Sequence, residues 1–274
     1  MISITDKEFK QLAEFIKRNY GIHLKEEKKM IVEGRLFQVL QKFNFTNYTD
    51  YSHYILADQT ENAASELVEK ITTNHTFFMR EVEHFHFFQQ QVLPYLAQTV
   101  KSNDLRIWSA GCSTGEEPYT LAMILDEYFG LQKYNWDTKV LATDLSQKVL
   151  CAAAKGIYPN ETLASLPFKW NQTYFKNNGD GTSEVAAKIK NEVIYRRFNL
   201  MESNFPFKKK FHVIFCRNVM IYFDQKTKKE LVNKFYNLME PGGYLFIGQS
   251  ETIDREAVNF RYVMPAVYRK EVII

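Results

Sequence analysis

The stretch IWSAGCSTGEEPYTLAMIL, residues 107–125, decides the fold of this chain. A short apolar run from Ile107 to Ala110 enters a turn of small residues bracketed by Gly111 and Gly115. The turn opens into a helical period that begins with Glu116, Glu117 and Pro118. Only 11 glycines occur in 274 residues, so two placed four apart mark a backbone that needs them. The pattern reads as a strand whose carboxyl end passes into a helix through a conformation that glycine adopts without steric cost. Proline is tolerated in the first helical turn, where its missing N–H has no partner to lose.

Toward the C-terminus the alternation continues: TKVLATD, SQKVLCAAAKG, VIYRRFN, FHVIFCR, KKELVNKFYNLMEPGG, YLFIGQS and AVYRKEVI. Nearly continuous apolar strands separated by amphipathic helices imply a mostly parallel sheet covered on both faces. The expected class is therefore α/β, a doubly wound sheet over residues 104–274. Between about 157 and 195 the alternation lapses. There FKNNGDGTSEV sets Gly and Asn between two short extended runs, which predicts a hairpin within a small antiparallel β insertion.

Toward the N-terminus, HTFFMREVEHFHFFQQQVLPYL predicts a long aromatic helix from about residue 81, and residues 76–103 are read as a linker and bridging helix. Residues 1–75 show no strand signal. TDKEFKQLAEFIKRNYG opens on an N-cap threonine, carries Phe9, Leu12, Phe15 and Ile16 on one stripe and closes on Gly21. Helices near 25–43, 47–57 and 61–73 complete a small all-helical domain.

With 45% apolar and 15% aromatic residues, the chain can fill cores of ordinary size. No run approaches about 18 consecutive apolar residues, and MISITDKEFK lacks the sections of a signal peptide, so a cytoplasmic protein is expected. Cys112, Cys151 and Cys216 are odd in number and widely spaced, which suits reduced thiols. The histidines form no HExxH pattern, and no metal is expected. The net charge of +3 is small, but lysines cluster at 25–29, 208–210 and 226–229. Such runs are either solvated surface or an attraction for an acidic partner.

In a doubly wound sheet, ligands bind beyond the carboxyl ends of strands near the switch point. A dinucleotide pyrophosphate requires a helix N-terminus free of anionic side chains, whereas Glu117 would repel phosphate and attract an ammonium or accept from a hydroxyl. The next strand, VLATD, ends in Asp144, where one carboxylate can accept both ribose hydroxyls; the alternative is that Asp144 caps the helix that follows. A nucleoside with cationic character and no phosphate meets both demands. S-adenosylmethionine is such a molecule.

TTNHTFFMRE, WSAGCSTGEEPYTLAM, ATDLS, FNLME, FHVIFCRNVMIYFD and GGYLFIGQSE, in this order and across nearly the whole chain, resemble the chemotaxis-receptor methyltransferases, the CheR family. The resemblance implies a Rossmann-like class I methyltransferase sheet. It implies transfer of a methyl group from S-adenosylmethionine to receptor glutamate carboxylates in bacterial sensory adaptation, with S-adenosylhomocysteine as product. It places Asn74, Thr76 and Arg80 in a polar segment over the cofactor, and Gly111 and Glu117 at its methionine portion. Asp144 falls at the ribose, Asn199 and Leu200 at the adenine edge, and Arg217 and Asn218 at the end of FHVIFCRN. Tyr222 faces the methyl group, and Arg80 with Tyr222 is expected to orient the acceptor carboxylate.

The implied partners are cytoplasmic helices of the receptors, with no nucleic acid, no membrane insertion and a monomeric enzyme. Lys28, Arg35 and Lys42 could face an acidic helix, but where many relatives carry further arginines this chain has Gln38, Val39 and Gln41. The insertion resembles a subdomain that in some members holds the receptor's C-terminal peptide by strand addition. Two other readings stay open on the residues alone: a methyltransferase of the same fold acting on a small molecule or nucleic acid, and a catalytically idle cofactor-binding module.

Overall fold

Thr5 begins the first helix in the manner its sequence predicts. Its Oγ1 accepts the Glu8 N–H at 3.2 Å while the Glu8 carboxylate accepts the Thr5 N–H at 2.9 Å, so two otherwise unpaired donors are satisfied reciprocally. Helix α1 (Asp6–Tyr20) ends on Gly21 at φ 72°, a left-handed cap. It buries Phe9, Leu12 and Ile16 as expected, whereas Phe15 is only half-buried and Tyr20 completes the stripe. Helices α2 (Lys29–Lys42), α3 (Tyr48–Ala57) and α4 (Asn62–Ile71) follow, with Leu36, Leu40, Tyr48, Tyr51 and Leu67 at their core. Arg35 of α2 donates to the Ile71 carbonyl, and Lys42 pairs with Glu66 at 3.0 Å. Two of the three cations expected to face a partner are thus engaged with α4, and Val39 is buried.

The computed structural model describes residues 3–58, 62–72, 75–254 and 258–272. The chain divides into two units, one of Met1–His75, Asn199–Ser203 and Tyr222–Lys228, the other of Thr76–Phe198, Asn204–Ile221 and Lys229–Ile274. In the helical unit the two later segments are tied by Asn199 Nδ2 donating to the Asn19 carbonyl at 2.8 Å and by Lys17 pairing with Asp224 at 2.7 Å.

The larger unit opens with α5 (Val82–Phe87), which continues through a π turn at Phe88–Val92 into α6 (Leu93–Thr99). Then come β1 (Ile107–Ala110), α7 (Glu116–Phe129), β2 (Val140–Asp144), α8 (Gln147–Lys155) and β3 (Ile157–Pro159). They are followed by α9 (Phe168–Tyr174), β4 (Phe175–Asn177), β5 (Thr182–Val185), α10 (Ala187–Lys190), β6 (Val193–Arg197) and β7 (Phe211–Cys216). Helix α11 (Gln225–Leu238) leads to β8 (Met239–Ile247), β9 (Phe260–Met264) and β10 (Val267–Lys270).

Seven strands form one sheet in the order β6-β2-β1-β7-β8-β10-β9, parallel except for β10, which runs antiparallel to both neighbours. The order reverses between β1 and β7, so the crevice of the doubly wound sheet lies at the carboxyl ends of β1, β2 and β7. Side chains alternate across these buried strands. Trp108 meets the rings of Phe207 and Phe235 at 4.8 and 5.4 Å on one face and donates from Nε1 to Thr143 Oγ1 at 2.9 Å. On the other face Phe215 stacks on Phe246 at 4.2 Å, and Phe85 and Phe88 of the aromatic helix cover them. The predicted hairpin pairs β4 with β5 antiparallel, and β3 adds a third strand at the other side of β5. Strands β3 and β9 are not among those expected from the sequence; β3 has only three residues and ends on Pro159. Among the described residues, no helix is long and apolar enough to cross a membrane.

Candidate functional site

The turn after β1 is built from left-handed residues: Gly111 at φ 88°, Ser113 at 49° and Gly115 at 99°. A Cβ on Gly111 would overlap Val219, and one on Gly115 would lie 2.8 Å from the Tyr195 hydroxyl. Both glycines are therefore required by conformation and by space. The turn folds back on the end of β2, where the N–H groups of Gly111 and Cys112 donate to the Thr143 carbonyl at 2.8 and 2.9 Å. The Ser113 N–H donates to Asp144 Oδ2 at 2.9 Å, and the Tyr158 hydroxyl donates to the Thr114 carbonyl at 2.6 Å. Asp144 does not cap α8; the Ser146 side chain does, accepting from the Val149 N–H at 3.3 Å. Cys112 is buried, and burial together with the Asp144 and Glu117 charges pushes its thiol up, so it stays protonated and is no nucleophile.

A charge cluster stands beside this turn. Glu117 accepts from Ser109 Oγ at 2.7 Å and from Arg217 Nη1 at 3.0 Å. Arg217, whose side chain is 3% exposed, also reaches Glu81 at 3.2 Å, the Arg80 carbonyl and the face of the Phe85 ring. Glu81 accepts further from Asn218 Nδ2 and the Gln249 N–H, both at 3.2 Å. Burial pushes the Glu81 carboxyl up, but Arg217 and Asn218 outweigh it and hold the group below its usual range. Arg217 is thus a buried cation between two carboxylates, an arrangement that survives only because each partner is hydrogen-bonded. Arg80 sits between Met79 at φ 60° and Glu81 at φ 57°, two left-handed residues that turn the chain sharply.

Of the residues expected from sequence, Gly111, Glu117, Asp144, Arg217 and Asn218 meet at the three strand ends, and Arg80 joins them through its carbonyl. Thr76 is half-buried at the start of the larger unit. Asn199, Leu200 and Tyr222 belong to the helical unit, where Asn199 Oδ1 accepts the Met201 N–H at 2.9 Å and the Tyr222 carbonyl accepts the His23 N–H at 2.8 Å. Asn74 lies outside the described residues. Sequence reasoning missed Glu81, Ser109, Tyr158 and Glu251. The acidic pair in RE and SE stretches looks like ordinary surface until the turns bring it inward.

The donor set discriminates between cofactors. The N–H groups of Gly111, Cys112, Ser113 and Gly115 are all bonded within the protein, so these four are not offered to a pyrophosphate, and Glu116 and Glu117 put negative charge at the helix start. What remains is Asp144, Glu117 and Arg217, with Ser113 Oγ and Arg217 Nε buried and lacking protein partners. Carboxylates and a guanidinium fit a neutral sugar and a zwitterionic tail.

The fold and this donor set suit a nucleoside cofactor with a zwitterionic tail, of which S-adenosylmethionine is one. The family model for the CheR methyltransferase SAM binding domain matches residues 74–268, and that for the CheR methyltransferase all-alpha domain matches residues 7–72. A Chemotaxis protein methyltransferase of Borreliella burgdorferi is 44% identical over 272 residues, covering 98% of this chain and 96% of the relative. The Chemotaxis protein methyltransferase of Escherichia coli K12 is 34% identical over 97% of this chain and 92% of its own length. The solved glycopeptide N-methyltransferase MtfA overlaps 58% of this chain and 56% of its own at a TM-score of 0.32 and 18% identity. The chain belongs to the CheR methyltransferase family.

Proposed function

We propose that this protein is a protein-glutamate O-methyltransferase that esterifies glutamate side chains on the cytoplasmic helices of chemotaxis receptors. The reading rests on the 44% identity, along nearly the whole of both chains, with a protein named Chemotaxis protein methyltransferase. When bound, S-adenosylmethionine supplies a methyl group made electrophilic by a positively charged sulfur.

The residues of this chain then have separable tasks. Asp144, already ordered by the Ser113 and Ser146 N–H groups at 2.9 and 3.0 Å, is the carboxylate that the ribose hydroxyls would meet at the end of β2. Arg217 and Glu117 offer opposite charges to the carboxylate and ammonium of the methionine portion. The resemblance assigns Asn199 and Leu200 to adenine and Thr76 to the polar cover. Arg80 and Tyr222 orient the acceptor carboxylate. These last roles rest on the sequence.

No residue is required as a general base. A glutamate has an unperturbed pKa of about 4.3 and arrives ionised, so the protein's work is alignment and exclusion of water. Receptor-bearing membranes incubated with methyl-labelled cofactor should gain label that mild base releases as methanol, and peptide mapping should place it on glutamates. Label that resists base, or that appears on nucleic acid or small molecules instead, would overturn the reading.

A further inference from the structure

Beyond β8 the chain turns at Gly248, and the Glu251 N–H closes that turn on the Gly248 carbonyl at 2.9 Å. The Glu251 side chain points inward, and the residue is 4% exposed. Its Oε2 accepts the Gly248 N–H at 2.6 Å and the Asn218 N–H at 3.1 Å, while Oε1 accepts the Ile221 N–H at 3.0 Å. One buried carboxylate therefore gathers backbone donors from two strand exits, Gly248 after β8 and Asn218, Met220 and Ile221 in the turn that follows β7.

That turn needs an anchor. Asn218 is left-handed at φ 59°, a conformation that asparagine tolerates better than most residues with a Cβ but that its neighbours must still hold in place. Gly248 permits the approach of the two exits, because a Cβ there would lie 2.5 Å from Asn218 Nδ2 and 2.8 Å from its backbone nitrogen. The turn in its place bears on each part of the candidate site. Arg217 meets Glu117 and Glu81, Asn218 Nδ2 meets Glu81 at 3.2 Å, and Val219 packs against Gly111.

We propose that Glu251 is a positioning residue of the cofactor site, fixing the turn that carries Arg217 and Asn218 without touching the cofactor itself. The proposal rests on the placement of those two residues in that site. Burial pushes the Glu251 carboxyl up, while the N–H groups that point at it pull the other way, so the charged form depends on the same bonds that hold the turn.

The test compares Glu251→Gln with the native enzyme in two measurements: hydrogen exchange by mass spectrometry over residues 217–222, and S-adenosylhomocysteine affinity by calorimetry. The amide variant keeps the volume but turns a donor toward a backbone N–H. Exchange over 217–222 should quicken and affinity should fall about tenfold or more, the scale of a lost charge-assisted contact. Ile189→Val, buried on α10, should lower the melting temperature without either change. If Glu251→Gln folds poorly, Gly248→Ala keeps the carboxylate yet displaces Asn218, and the same pair of changes is expected. Native exchange or native affinity in these variants overturns the proposal. Asn218→Ala separates the two layers: lost affinity there with native affinity in Glu251→Gln sinks the positioning role alone, and native affinity in both sinks the placement of the turn as well.

Discussion

The backbone N–H of Ser113 donates to the Asp144 carboxylate at 2.9 Å, joining the exit of β1 to the exit of β2. The same carboxylate accepts the Ser146 N–H at 3.0 Å, so its orientation is set before any ligand arrives. A preorganised acceptor of this kind saves a ligand the ordering of the side chain.

Asp144→Asn should therefore bind S-adenosylhomocysteine about 10- to 100-fold more weakly, since a hydrogen bond to a charged group contributes about 1.5–3 kcal/mol. Calorimetry at fixed salt measures this. An affinity within twofold of native would remove Asp144 from the ribose.

Gly111→Ala tests the turn itself. The substitution meets a φ of 88° and the side chain of Val219 together. The left-handed conformation alone costs about 1–2 kcal/mol for a residue with a Cβ, before any overlap. A lowered urea midpoint with weakened cofactor binding is expected, whereas Gly179→Ala, with nothing within 4 Å of its added atom, should leave binding native.

Tyr158→Phe removes the donor to the Thr114 carbonyl while keeping the ring that packs on Phe78 at 4.9 Å. Thr114 is half-buried, so loss of this bond should cost about 0.5–1.5 kcal/mol, the net worth of an ordinary hydrogen bond. The predicted result is a modest rise in the Kd for S-adenosylhomocysteine with little change in overall secondary structure. Native binding would mean that β3 does not support the glycine turn.

His212 sets a dependence on pH. It is buried on β7, its Nδ1 accepts the Arg106 N–H at 3.1 Å, and burial with the nearby Arg106 charge pushes its pKa down to about 4. Because this lies below the unfolded value of about 6.5, protonation favours the unfolded chain. Stability should be complete above about pH 6.5 and fall as pH drops toward 4, by about 2 kcal/mol at pH 5 from this residue. His84, 0% exposed and also pushed down to about 4 by burial, acts in the same direction. Urea unfolding at pH 7.5 and pH 5 measures the change, and equal midpoints would contradict it.

Much of this molecule is legible as periodicity. The strands β1, β2 and β7 are nearly continuously apolar because each is covered on two faces, and the helices carry one apolar stripe because each covers one. Thr5, Glu8 and Gly21 bound the first helix by local chemistry alone. Gly111, Glu117 and Asp144 could be read as a site because they fall at strand ends, which is where a doubly wound sheet leaves its crevice open. Strand β3 escapes this kind of reading, since three residues hold too few periods to show one.

By itself the sequence determined the order and type of the long elements, the required glycines and the charges of the strand-end residues, because these depend on contacts a few residues apart and on where the chain is apolar. Only the tertiary structure decided which groups meet. Glu81, the neighbouring Arg217 and Asn218, and Glu251 come from three distant parts of the chain, and their pairing follows from two sheet exits and a sharp turn at Met79 and Glu81. A buried charge must find a partner wherever the fold supplies one, and no local pattern records that choice.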